Sequence, residues 1–177
     1  MGRASFTGSY PMKIDGKGRM SIPPQFRAVL QHRDPDYRDA VARGEDKLQP
    51  AFQVVFGPHL EDHLEAYTID AFDDITERIE SLDFGSQERE LATAAILGES
   101  QRIELMDGGR IILPKDIRDR AGYDPEAGEE LMLVGAGNHF KIFTASASVA
   151  RQEQTRERLA AIGNPMALLN GPKGRDS

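Results

Sequence analysis

The chain contains no cysteine in its 177 residues. Disulfides, thiolate metal sites and cysteine nucleophiles are therefore excluded together, and the composition fits a cytosolic protein. No segment approaches the roughly 20 consecutive apolar residues needed to span a bilayer. The opening Met1-Gly2-Arg3-Ala4-Ser5-Phe6 lacks the apolar stretch of a secretion signal. There is no glycine loop followed by Lys-Ser/Thr to cradle a phosphate, and Gly135-Ala136-Gly137 lacks the rest of a dinucleotide fingerprint. Ser9 and Ser21 have no evident base and orienting acid nearby. His32 and His139 are isolated. His59 and His63 stand four apart, a spacing that binds metal on a helix. However, the acidic residues between them do not match His-Glu-x-x-His, and Gly57-Pro58 reads as a turn. The expectation is a protein that is not an enzyme and uses no cofactor, metal or small-molecule substrate.

What is present is an uneven charge. The net value is −7, which by itself argues against nucleic acid. Residues 1–30, however, carry Arg3, Lys13, Lys17, Arg19 and Arg27 against Asp15 alone, whereas residues 31–97 carry 16 acidic and 6 basic side chains. Local field at a contact surface matters more for phosphate binding than the total.

An internal repeat organises the chain. A shift of 91 positions lays Met12–Arg27 on Ile103–Arg118. Gly18/Gly109, Arg19/Arg110, Pro23/Pro114 and Arg27/Arg118 recur identically. Apolar character recurs at Met12/Ile103, Ile14/Leu105, Met20/Ile111, Ile22/Leu113 and Phe26/Ile117. In each copy, alternation of apolar and polar residues predicts a strand. Asp15-Gly16-Lys17-Gly18 or Asp107-Gly108-Gly109 predicts a tight turn, and a second strand then ends at the proline, which can start a short helix. These helices are expected at 24–30 and 115–121. A weaker echo follows at Phe56-Gly57-Pro58-His59 and Val134-Gly135-Ala136-Gly137-Asn138, each read as strand, turn, strand. Phe72, Ile75, Ile79 and Leu82 mark one helical face. A capped helix over 87–97, another over 149–162 and one near 35–43 complete the reading, with 163–177 expected to fray.

Several of these segments together resemble the MraZ family. Phe6-Thr7-Gly8, Asp15-Gly16-Lys17-Gly18-Arg19, Ile22-Pro23 and Phe26-Arg27 look like its first signature. Gly109-Arg110-Ile111-Ile112-Leu113-Pro114-Lys115-Asp116-Ile117-Arg118, with Ala121-Gly122, resembles its second. Leu133-Val134-Gly135 and Phe140-Lys141-Ile142-Phe143 look like the strands that follow, so the resemblance covers about residues 5–145. It implies an α+β chain of two tandem swapped-hairpin, AbrB-like β-barrel units at 5–68 and 99–145. Helices over 69–98 would connect them, and a helix and tail would occupy 146–177. It also implies a cytoplasmic, nucleoid-associated regulator, generally a repressor. Its partners would be double-stranded DNA with tandem repeats upstream of the division and cell-wall gene cluster, and other copies of itself in a homo-oligomeric ring.

The family's characteristic motif is Asp, three residues, then Arg. Asp15 and Arg19 satisfy it. In the second copy the ungapped alignment puts Met106 opposite Asp15, whereas a turn one residue shorter would put Asp107 there. A β-hairpin can enter the major groove, where base edges carry an unambiguous code. The expected DNA-binding residues are Arg3, Lys13, Asp15, Lys17, Arg19, Arg27 and Arg110. Arg19 would pair bidentately with guanine or phosphate, or else serve as a structural partner of Asp15. Lys17, Lys13 and Arg3 would neutralise phosphate. Arg27 would reach the backbone or brace the fold. Because Lys13 and Lys17 become Glu104 and Gly108, the first copy is expected to supply most of the contact and the second mainly to serve assembly. A competing reading is an antitoxin-like module whose tail from Gly163 binds a toxin.

Overall fold

The computed structural model describes residues 4–123 and 128–171. The first repeat is β1 (Ser9–Ile14), β2 (Arg19–Ser21) and α1 (Pro24–Arg33), then α2 (Pro35–Ala42), β3 (Ala51–Val55) and β4 (Leu64–Thr68). Helices α3 (Ile69–Glu80) and α4 (Gln87–Ala92) lead to the second repeat. That repeat is β5 (Ser100–Glu104), β6 (Arg110–Ile112), α5 (Lys115–Arg120), β7 (Glu129–Gly135) and β8 (His139–Thr144). α6 (Ala145–Ile162) follows.

Local chemistry sets the boundaries. Pro23 and Pro114 close β2 and β6 and stand at the N-caps of α1 and α5, where a missing N–H is no loss. The hydroxyl of Ser86 accepts from the Arg89 N–H at 3.2 Å to start α4, and Thr144 accepts from Ala147 N–H at 3.1 Å to start α6. α4 is shorter than the predicted 87–97 helix, because Thr93–Leu97 widen into a π-turn. Of the tail expected to fray, Pro165–Asn170 instead form a short 3-10 helix, with Asn164 accepting from Met166 N–H. Residues 172–177 lie outside the described residues.

Six strands form an antiparallel sheet in the order β1-β7-β8-β4-β3-β5, and β2 pairs with β6 in a separate two-stranded ribbon. Exchanging the two repeats turns the sheet order into its own reverse, so a pseudo-two-fold axis passes between β4 and β8. Strand pairing crosses between repeats wherever the first hairpins are involved. β1 lies on β7, β5 on β3, and β2 on β6.

The expectation of closed barrel units needs correction. The strands of 5–68 and 99–145 share one open sheet, with β1 and β5 at its edges, and one ribbon. β2 and β6 are three residues each, cut short by prolines that cannot donate to a ladder. They pair with one another rather than extending the sheet. A single core joins the repeats: Ile14, Met20, Ile22 and Phe26 of the first pack in one cluster with Leu105, Ile111, Leu113 and Ile117 of the second. Phe6, Phe26 and Phe140 meet at ring-centroid distances of 5.1 Å. Among the described residues, no helix is long and apolar enough to cross a membrane.

Candidate nucleic-acid interface

The β2·β6 ribbon has one buried and one exposed face. Met20 and Ile111 lie opposite one another and point into the core. Arg19, Ser21, Arg110 and Ile112 alternate with them and face outward, with Arg19 opposite Ile112 and Ser21 opposite Arg110. The two arginines that the repeat singled out are therefore diagonal neighbours on a single surface, one from each copy.

The Asp15 carboxylate builds the turn that presents Arg19. Its Oδ1 accepts from the backbone N–H of Lys17 and of Arg19, both at 2.9 Å. Its Oδ2 accepts from Arg19 Nε at 2.7 Å. The backbone closes around it, with Gly18 N–H donating to Asp15 O at 2.9 Å and Asp15 N–H to Arg19 O at 3.0 Å. The Arg19 N–H, then its side chain, hold the Asp15 carboxyl below its ordinary value. The pair is solvent-exposed, with side-chain accessibilities of 57% for Arg19 and 41% for Asp15. Its contribution is therefore geometric more than energetic. Because Asp15 engages Nε, the two Nη groups of Arg19 have no protein partner among the described residues. They are the groups that make a bidentate contact.

The second copy has the same turn without the carboxylate. Gly109 N–H donates to Met106 O at 3.0 Å, and Met106 N–H to Arg110 O at 2.7 Å. These bonds correspond one for one to those of Asp15, so the ungapped alignment holds and the turn is not shortened. Asp107 is turned away and accepts from Gln49 Nε2 at 3.1 Å. Arg110 accordingly has no side-chain partner among the described residues.

Each turn is held by an arginine from the other repeat. Arg27, on α1, donates from Nη1 to Gly108 O at 3.2 Å. Arg118, on α5, donates from Nη1 to Gly16 O and from Nε to Leu113 O, both at 3.0 Å. Arg27 thus stands against the second copy's turn, bracing the fold. The recurrence of Arg27 and Arg118 at one spacing was the only sequence signal for this pairing, and it did not reveal which turn each holds.

Of the remaining candidates, Lys17 is exposed at the tip of the first turn. Lys13, also exposed, lies 3.9 Å from Glu130 on the adjacent β7. Arg3 lies outside the described residues. His59 and His63 are in the non-helical connection between β3 and β4. His63 there bonds to Asp62 and Glu65 at 2.8 and 3.2 Å, so the helical metal spacing is not realised.

No family model matches the chain. Similarity to individual proteins is extensive. A transcriptional regulator MraZ of Ruegeria pomeroyi is 31% identical over 173 residues, covering 96% of this chain and 97% of the relative. The transcriptional regulator MraZ of Cereibacter sphaeroides is 32% identical over 93% of this chain and 95% of its own length. That of Gluconobacter oxydans is 27% identical over 94% and 92%. The chain belongs to the MraZ family. The MraZ resemblance seen in residues 5–145 thus extends over nearly the whole length, α6 included.

Proposed function

We propose that this chain is a sequence-specific DNA-binding transcriptional regulator of the cytoplasm and nucleoid, and that the exposed face of the β2·β6 ribbon is its reading head. The observation that carries the reading is the pairing of Arg19 and Arg110 on one outward surface. Arg19 is oriented by Asp15, and its Nη groups have no protein partner among the described residues. A two-stranded ribbon fits the major groove, and the arginine fork matches guanine O6 and N7. Asp15 positions Arg19 and is not itself a phosphate contact. Lys17 and Lys13 neutralise phosphate beside it, with Arg3 preceding them in sequence. Arg27 acts through the turn it holds.

The names of the relatives support a role in transcription. The finer reading is repression of the division and cell-wall gene cluster through tandem promoter boxes, by a homo-oligomeric ring. One protomer presents few cations, so affinity builds from several protomers on repeated boxes. The test is binding to DNA from upstream of the protein's own coding region, with tandem boxes intact or reduced to one. A marked preference for the tandem DNA is expected, and equal binding to both would undo the reading.

A further inference from the structure

The outward face of the ribbon is chemically lopsided. Its first-repeat strand and turn present Asp15, Lys17 and Arg19. Its second-repeat strand and turn carry Met106 and Ile112 at the places of Asp15 and Ser21. Both are strongly exposed, at 50% and 47%, and both line one shallow groove between β5 and β6. Isolated exposed apolar residues are ordinary on protein surfaces. Here two line one groove, Ile112 on a ribbon three residues long and Met106 in the turn that leads to it, at positions where the other repeat is polar. Ile112 lies directly across from Arg19.

We infer that Ile112, flanked by Met106, is a specificity-determining contact that reads the C5-methyl group of thymine beside the base pair read by Arg19. This rests on the DNA-binding reading above and deepens it. In the major groove, thymine alone offers a methyl group among its hydrogen-bonding edges, and an apolar side chain is its natural complement. A β-branched side chain on a strand is held stiffly at χ1, so Ile112 keeps a fixed place relative to Arg19 across the ribbon. The repeat then reads two different things. The Arg110–Ser21 rung is wholly polar, whereas the Arg19–Ile112 rung pairs a hydrogen-bonding fork with an apolar contact. The pseudo-symmetric ribbon thereby gains a direction on DNA.

The test compares fluorescence anisotropy titrations on tandem-box DNA with titrations on the same duplex in which deoxyuridine replaces every thymine. Loss of one buried methyl contact lowers affinity about fourfold per engaged protomer, so wild type should bind the deoxyuridine duplex at least that much more weakly. Ile112→Ser should bind the thymine duplex more weakly by a similar factor and no longer distinguish the two. Ile112→Val should keep most of the discrimination. Arg19→Ala should weaken binding to both duplexes and retain their ratio. Equal wild-type affinity for the two duplexes, with preference for box DNA over scrambled DNA intact, would overturn this inference alone. Loss of that preference in wild type would overturn the regulatory reading and this inference with it. If Ile112→Ser changed the oligomeric mass by light scattering and left the thymine discrimination untouched, the patch would be a contact between copies, and the inference would again fall.

Discussion

At the scale of the residue, the two repeats show how one substitution divides a shared motif. Asp15 and Met106 occupy the same place in the same turn, with the same backbone bonds. Among the described residues, Asp15 alone of the two bonds to its arginine's side chain. Replacing Asp15 by Asn should leave the fold in place and raise the mobility of the Arg19 side chain. DNA affinity should fall severalfold, as read by anisotropy titration alongside circular dichroism. Because Asp15 titrates below its ordinary value in the folded state, its contribution is fully present above the usual carboxylate range. It is lost only as pH falls through that lowered value, so binding should not vary with Asp15 ionisation between pH 6 and 8.

The glycines of the second turn allow a sharper test. Gly108 and Gly109 both have positive φ, +81° and +74°. A Cβ on Gly108 would meet open space, whereas one on Gly109 would lie 2.1 Å from Arg27 Cδ. Gly108→Ala should cost about 1 kcal/mol, the strain of a left-handed alanine. Gly109→Ala should cost clearly more, because Arg27 must leave its place against the turn. Thermal unfolding of the two variants would measure the difference, and equal melting temperatures would contradict the packing described.

His139 gives a third expectation at this scale. Burial pushes its ring below the ordinary histidine value, partly offset by Glu65, and Tyr67 stacks on it at 4.6 Å. A histidine with a lowered folded pKa takes up its proton more readily when unfolded. Stability is therefore lost as pH falls from about 6.5 toward the folded value. The melting temperature of wild type should drop between pH 7 and 5.5, and His139→Gln should flatten that drop.

At the scale of the element, much was legible and the pairing was not. The strand–turn–strand–proline–helix series of each repeat follows from alternation at Met12–Ile14 and Ile103–Leu105 and from the punctuation of Gly18, Gly109, Pro23 and Pro114. Periodicity says which residues face inward but not which strand they face. The crossing of β1 to β7 and of β2 to β6 is set by the common core. Ile14 and Leu105, or Ile22 and Leu113, are buried only when the two hairpins close over the same cluster. The same holds for the candidate site. Arg19 and Arg110 were recognisable singly, but their shared face depends on the β2·β6 register. Arg27 and Arg118 were recognisable as a repeat, but each acts on the turn of the other copy. Removing Arg118 takes two hydrogen bonds from buried or half-buried carbonyls. Arg118→Ala should therefore destabilise the protein by about 2–3 kcal/mol, and hydrogen exchange should quicken first at Lys17–Arg19. Uniform quickening across the sheet would instead indicate a general loss of packing.

At the scale of the whole molecule, the exchange of hairpins makes one chain behave as a fused, pseudo-symmetric pair with a single core. The net negative charge and the cationic ribbon are compatible because the acidic residues concentrate in 31–97, away in sequence from the first turn. Local field at the contact surface, rather than net charge, governs attraction to a polyanion. If about six phosphates are neutralised, log affinity should fall against log salt with a slope of about −5. A slope near zero would remove the electrostatic part of the interface.

The most direct measurement is the affinity of folded Arg19→Ala and Arg110→Ala for tandem-box DNA, each compared with wild type across a salt series. Arg19→Ala should lose at least about tenfold and relax sequence preference, as expected for a bidentate base contact. Arg110→Ala, which lacks an orienting carboxylate, should lose less. Unchanged affinity in a folded Arg19→Ala variant would contradict the assignment of the ribbon face as the surface that reads DNA.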